Sequence, residues 1–299
     1  YYHYNLAYEE YLEARDEIKA GRMLLNMAIL QEYIKDYVGS ENTTFKALDL
    51  FEESTQAEKY IYRANNNLGI IYNGLENYPL ALEYHRKALR NVEVLKQPVK
   101  SAQSLNNIGV VYQNMLDYQS SISNYNRALS VDSIYENNTR LYAMLTDNLG
   151  YSEFKLGNYQ VAEYLFQEAL QIRDSIGHKA GVVINKLHLG EYYLKSGDTT
   201  KAFQYTREAN LLAEETTNNR DLLASYLLLA QIEPQKASNY LDNYIQLNDS
   251  LLKKERAIRN KFARIRFETD QYIQRTQELS NDKLWISLAA IILASVLFL

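Results

Sequence analysis

The side chains of this sequence that can do chemistry are its amides, four histidines and 27 tyrosines; there is no cysteine. Lack of thiols excludes disulfides, thiolate zinc sites and cysteine nucleophiles, and leaves the redox compartment open. His3, His85, His178 and His188 are far apart in the chain, and neither an H-E-x-x-H metal motif nor a phosphate-cradling glycine loop occurs. The many carboxylates fall on helical faces, where solvated charge is the default. No catalytic residue, metal or cofactor is therefore expected, and this segment is not expected to be an enzyme. The amides are more informative. Asn65, Asn66 and Asn67 stand in a row within ANNNLGIIYNG, Ala64 to Gly74. Asparagine is a poor helix former and Gly69 costs roughly 1 kcal/mol relative to alanine, so something other than propensity places them.

The surrounding pattern supplies the reason. NNLGIIY (Asn66–Tyr72), NNIGVVY (Asn106–Tyr112), DNLGYSE (Asp147–Glu153) and LHLGEYY (Leu187–Tyr193) align on Gly69, Gly109, Gly150 and Gly190, which lie 40 or 41 residues apart. A second signature follows each, with Ala88, Ala128, Ala169 and Ala209 in register. The turns between them, ENYP, LDYQ, GNYQ and GDTT, are also equivalent. Small residues let two helices approach closely while Leu and Tyr fill the space between them. Only three prolines and 11 glycines interrupt 299 residues, which fits an all-helical chain. Net charge is −5, so the body of the chain is not expected to contact nucleic acid.

Leu68, Gly69, Tyr72, Ala81 and Ala88, with their counterparts, resemble the tetratricopeptide repeat: a helix with L-G-x-x-Y, a turn, then a helix with A-x-x-x-F/Y-x-x-A. The period exceeds the basic one of about 34 and resembles the longer-helix variants of kinesin light chains and bacterial regulators. His85 takes the aromatic position of its repeat, which indicates packing rather than a phosphoacceptor. The resemblance implies an all-α, right-handed superhelix whose repeats must stack to bury their apolar faces. We expect about six pairs over 1–248, clearest at 64–212 and atypical at the ends. It also implies that the first helix of each pair lines a concave groove for a protein or peptide. On those helices Asn66, Asn67, Asn73, Asn106, Asn107, Gln113, Asn148, Tyr151 and His188 share the groove face. Asn67, Asn107 and Asn148 recur just before Leu-Gly or Ile-Gly, and His188 follows in register. Amides at this position hold a ligand main chain in similar families; equally, they could bond neighbouring helices.

From Asp249 to Lys283 neither glycine nor proline occurs. Leu251, Ile258, Ile265, Tyr272 and Leu279 form a seven-residue series, with Phe262, Thr269 and Thr276 at companion positions, which suggests a long helix or a homodimeric coiled coil over 249–283. Its basic cluster, Lys253 to Arg266, reads as a solvated face. Leu284 to Leu299 is an uncharged apolar run of sixteen residues led by Trp285, expected to be a truncated transmembrane helix. The junction ERAIRNKFARIRFETDQYI, placed between repeats and span, resembles bacterial tetratricopeptide sensor histidine kinases and membrane-bound helix-turn-helix regulators. That resemblance implies a sensory region in the periplasm, single-pass in the inner membrane, relaying ligand binding to a cytoplasmic output module absent from these residues, which could be a histidine kinase. A tail-anchored scaffold recruiting partners to a membrane, or a soluble peptide receptor, stays open as an alternative.

Overall fold

The computed structural model of the chain describes residues 1–51 and 55–297. Its elements are helical: α1 (Tyr2–Glu13), α2 (Glu17–Tyr33), α3 (Tyr37–Phe51), α4 (Glu58–Gly74), α5 (Tyr78–Val94), α6 (Pro98–Asn114), α7 (Tyr118–Leu129) and the short α8 (Ile134–Asn137). They continue with α9 (Thr139–Lys155), α10 (Tyr159–Ser175), α11 (Lys179–Ser196), α12 (Thr199–Glu215), α13 (Asn219–Ile232) and the long α14 (Ala237–Leu297). The chain divides into two compact units, one of Ser54–Lys253 and one of Tyr1–Glu53 with Lys254–Leu299. The array expected over 1–248 includes residues 52–54, which lie outside the described residues.

In the 54–253 unit, α4/α5, α6/α7, α9/α10 and α11/α12 are the four pairs marked by the glycine pattern, and α13 follows them. Three residues separate the helices in the first three pairs and two in the fourth. Glu76, Leu116, Gly157 and Gly197 take a left-handed backbone, at φ of 58°, 62°, 87° and 88°. The next residue caps the second helix: Asn77, Asp117 and Asp198 accept from the main-chain N–H three residues on. Asn158 stands at the same place but donates instead to Glu153 Oε2. Pro79 falls within the first turn of α5, where its missing N–H costs no helical bond.

Close approach explains the glycines inside the helices. A Cβ on Gly69 would lie 2.5 Å from His85 Cε1, and one on Gly109 would lie 2.5 Å from Tyr125 Cε1. Phe166 and Thr206 take the same place against Gly150 and Gly190. Ala88, Ala128, Ala169 and Ala209 are fully buried, as are Leu68 and Leu189. Leu89, Leu149 and Leu170 are nearly so. This confirms the all-helical repeat architecture expected from the spacing.

In the other unit, the C-terminal part of α14 packs beside the N-terminal helices. Tyr1 meets the Phe262 ring edge-on at 5.2 Å, and Tyr2 meets Tyr272 at 6.0 Å. Arg266 Nη1 lies 3.1 Å from Asp36 Oδ2, and Lys35 Nζ lies 3.2 Å from Glu255 Oε1. Thr269 is 2% exposed and donates to Ile265 O. The seven-residue pattern therefore serves contacts within the chain, through the companion positions Phe262 and Thr269 and through Tyr272 of the main series. Ile258, Tyr272 and Leu279 of the main series keep more than half their surface exposed. Arg266, read as part of a solvated face, is paired.

No helix of the described residues is long and apolar enough to cross a membrane. The transmembrane helix expected at 284–299 is accordingly not found among them. Instead α14 continues without a break, exposing Leu284, Trp285, Ile286, Leu288, Ile291 and Ile292. Asp282 and Lys283 precede the run. Residues 298–299, and the side chains beyond Ile292, lie outside the described part.

Candidate functional site

The groove amides bond to one another. Asn107 Nδ2 donates to Asn66 Oδ1 at 2.8 Å, and Asn148 Nδ2 donates to Asn106 Oδ1 at 2.9 Å. His188 Nδ1 lies 2.9 Å from Asp147 Oδ1, so the ring nitrogen donates to the carboxylate. Each bond joins the residue two before a glycine to the residue three before the preceding repeat's glycine. Stacking the first helices of successive pairs side by side brings these two positions together, which makes the asparagines rungs between repeats. At the far end of the helices, Asn114 Nδ2 donates to Asn73 Oδ1 at 3.0 Å. Gln113 Nε2 donates to Asn148 O and Ser152 Oγ, both at 2.9 Å. Asn67 is 4% exposed, and Tyr151 packs its ring 4.8 Å from that of His188. Of the two readings of the amides, the bonds between helices are what the geometry displays.

Behind the third rung lies a buried ionic network. Asp147, Arg173 and Asn185 are each at most 3% exposed at the residue level. Arg173 Nη1 donates to Asp147 Oδ2 at 3.0 Å, Gly181 O at 2.8 Å and Asn185 Oδ1 at 2.7 Å. Asn185 Nδ2 donates to Asp147 Oδ1 at 2.5 Å. Burial alone raises the Asp147 carboxyl, but His188 and Arg173 together outweigh it and hold the group below its ordinary value. A carboxylate this deep is tolerable only with such partners.

Two cavities adjoin the network. One, of about 500 Å³, is lined from α6, α9, α10 and α11 and includes Asn106, Arg140, Met144, Asn148, Arg173 and Ile184. The other, of about 790 Å³, lies between α9, α11, α13 and α14 and includes Tyr151, Leu187, His188, Glu191, Leu227 and Tyr244. Ile184 lines both, so they meet along α11. Four of the residues expected from sequence, Asn106, Asn148, Tyr151 and His188, border this space. Asn66, Asn67, Asn73, Asn107 and Gln113 border neither cavity. Lys155 and Glu191 form an ion pair at the rim, and Lys155 Nζ also stands 4.8 Å over the Tyr151 ring.

Against this geometry the comparisons are decisive for the repeats. A family model described as tetratricopeptide repeat matches residues 60–133 and 100–175. Residues 60–175 are tetratricopeptide repeats. Solved structures extend the likeness of fold beyond them. The apo form of RapI superposes with a TM-score of 0.70 at 21% identity, covering 84% of this chain and 90% of that one. A STAND signal-transduction ATPase with a tetratricopeptide repeat sensor, from Pyrococcus horikoshii, gives 0.63 at 18% identity over 81% of this chain, which spans 39% of that one. The Rap conjugation gene regulator of plasmid pLS20, solved with the Phr* peptide, gives 0.56 at 14%, covering 83% of this chain and 73% of that one. None of the curated proteins matches the sequence.

Within the tetratricopeptide array, the sequence reading missed Arg173, Asn185, Arg140 and His178. One signal was available. Asp147 stands where the preceding repeats have Asn66 and Asn106, and a charge in a row of amides requires a cation nearby. Which cation, from which helix, depends on packing across 26 residues of chain.

Proposed function

We propose that the 54–253 unit is a peptide- or protein-binding module, taking an extended ligand segment along α9, α11 and α13. The observation that carries this is the pair of adjoining cavities. Together they offer apolar walls (Ile184, Leu187, Leu227) flanked by fixed polar groups, the composition that binds a peptide. The Rap regulator solved with a peptide and the repeat sensor of the STAND protein share this fold and support the reading. A displayed peptide library panned on the 299-residue chain tests it. Selected peptides should bind the native chain and lose about tenfold or more on Leu227→Glu or Ile184→Glu, half-exposed sites where melting should not move. Unchanged binding in both variants, or no selected peptide at all, refutes it.

The wider proposal makes this module the sensory region of a membrane-anchored receptor. Tyr244, at the larger cavity, belongs to the same helix that continues to Leu297, which supports α14 as the relay. In this reading the repeats are periplasmic, 284–299 attaches to the inner membrane, and a cytoplasmic output module acts downstream. Fractionation of the chain with and without 284–299 checks the attachment. Cysteines at Ile258, Tyr272 and Leu279 check a homodimer through α14: cross-linking between chains supports it, and its absence at all three positions refutes it.

A further inference from the structure

The smaller cavity holds polar atoms that the fold leaves unused. Arg173 is 3% exposed, and while its Nη1 makes three bonds its Nε is buried with no partner. Both ring nitrogens of His178 are likewise buried and unpartnered. Buried donors are almost always satisfied, so two such groups lining one cavity demand an account. They converge because residue 181 lacks a side chain. A Cβ on Gly181 would stand 2.5 Å from His178 Nδ1 and 2.8 Å from Arg173 Nε. Gly181 and Ala180 also line the cavity and belong to the first turn of α11, whose N–H groups point out of the helix at its positive end. Arg140 adds a second guanidinium to the lining. Asp147, the one carboxylate there, is already taken by Arg173, Asn185 and His188.

We propose that this cavity is a carboxylate-binding subsite of the ligand groove, with Arg173 Nε–H, the His178 ring, the α11 N-terminus and Arg140 receiving the anion. The inference rests on the peptide-binding reading above and names the group recognised. The two donors that are buried and unpartnered, Arg173 Nε–H and one His178 ring N–H, match the two oxygens of a carboxylate. The other walls, Val110, Leu141, Met144 and Ile184, are apolar and suit a hydrocarbon stem beside the charge. A peptide C-terminus with an apolar last residue and a free short-chain acid share this chemistry.

The test uses the 299-residue chain with hexanoate as probe, hexanamide as its neutral counterpart, and a selected groove peptide in free-acid and amidated forms. Hexanoate should shift the amide resonances of Ala180 and Gly181 and the Arg173 Nε–H, while hexanamide leaves them in place. Arg140→Gln, on the rim, should weaken hexanoate about tenfold, as loss of one charge-assisted contact implies. Gly181→Ala should abolish the response; should that variant unfold, Arg140→Gln with its unchanged fold decides alone. Free-acid peptide binding better than amidated assigns the subsite to peptide C-termini. Hexanoate binding without any peptide binding supports the subsite while overturning the peptide reading. Peptides that bind equally in both forms, with no hexanoate response, overturn the subsite and leave the groove intact.

Discussion

His85 offers the sharpest test of how the repeats are packed. It is 2% exposed, its Nδ1 has no partner, and burial lowers its pKa from 6.5 to about 4. The ring is therefore neutral in the folded chain, and between these two values only the unfolded chain takes up the proton. Stability must then rise with pH across the window and fall as pH drops from 6.5 towards 4. At 1.36 kcal/mol per unit, a displacement of about 2.5 units amounts to about 3 kcal/mol at pH 4, and about 2 kcal/mol at pH 5. Substituting His85→Phe, the residue type that Phe166 supplies in the third repeat, removes this contribution. It also removes a buried unpaired nitrogen, worth about 1 kcal/mol or more, against the strain of a larger ring beside Gly69. Urea unfolding of both proteins at pH 7, 6, 5 and 4.5 measures the difference directly. The variant should match the wild type within about 1 kcal/mol at pH 7 and exceed it by about 2 kcal/mol more at pH 5. Parallel losses in both proteins would show that His85 does not titrate in this window, and the account of its burial would be wrong.

Other outcomes follow from the same structure. Asn107→Ala and Asn148→Ala each remove a rung and should cost about 1 kcal/mol by urea unfolding; no loss from either would free the amides for a ligand. Asp147→Asn leaves Arg173 buried without its counter-charge and should cost about 3–5 kcal/mol in the same assay. Because the Asp147 pKa is lowered, its contribution is complete above the ordinary value of 3.8 and is lost as pH falls through the lowered one, a window below that of His85. Leu116 is 70% exposed at a φ of 62°, so Leu116→Gly should raise stability by about 0.5–1 kcal/mol in thermal melts.

Local and periodic features were legible in the sequence. Gly69, Gly109, Gly150 and Gly190 announced the close helix pairs, and ENYP, LDYQ, GNYQ and GDTT announced the turns, because these depend on neighbours within sixteen or so residues. The asparagine row was visible, yet its use was not. Whether an amide faces a ligand or the next repeat depends on the offset between adjacent helices, which no single repeat encodes. The Arg173 network joins α9, α10 and α11, and only their packing makes Arg173 a core residue. The pairing of Arg266 with Asp36 spans 230 residues, beyond any periodic signal. The seven-residue series on α14 was real, but it could not say whether the helix met its own chain or another.

The rungs also bear on how such an array can be rebuilt. Every one uses the same two sites, with the later repeat donating and the earlier one accepting, so the joints between α4 and α6 and between α6 and α9 are alike in kind. A duplicated or exchanged unit carrying Asn at both sites would mate with either neighbour without redesign. The joint after α11 differs: Leu187 occupies the accepting site there, and no amide on a following helix could pair with it. The polar joint is thus repeated as far as α11, while α13 packs on α11 and α12 through Leu222 instead. Chimeras should tolerate a whole pair inserted between α5 and α6 or between α7 and α9, but not one mated to α11 through this joint.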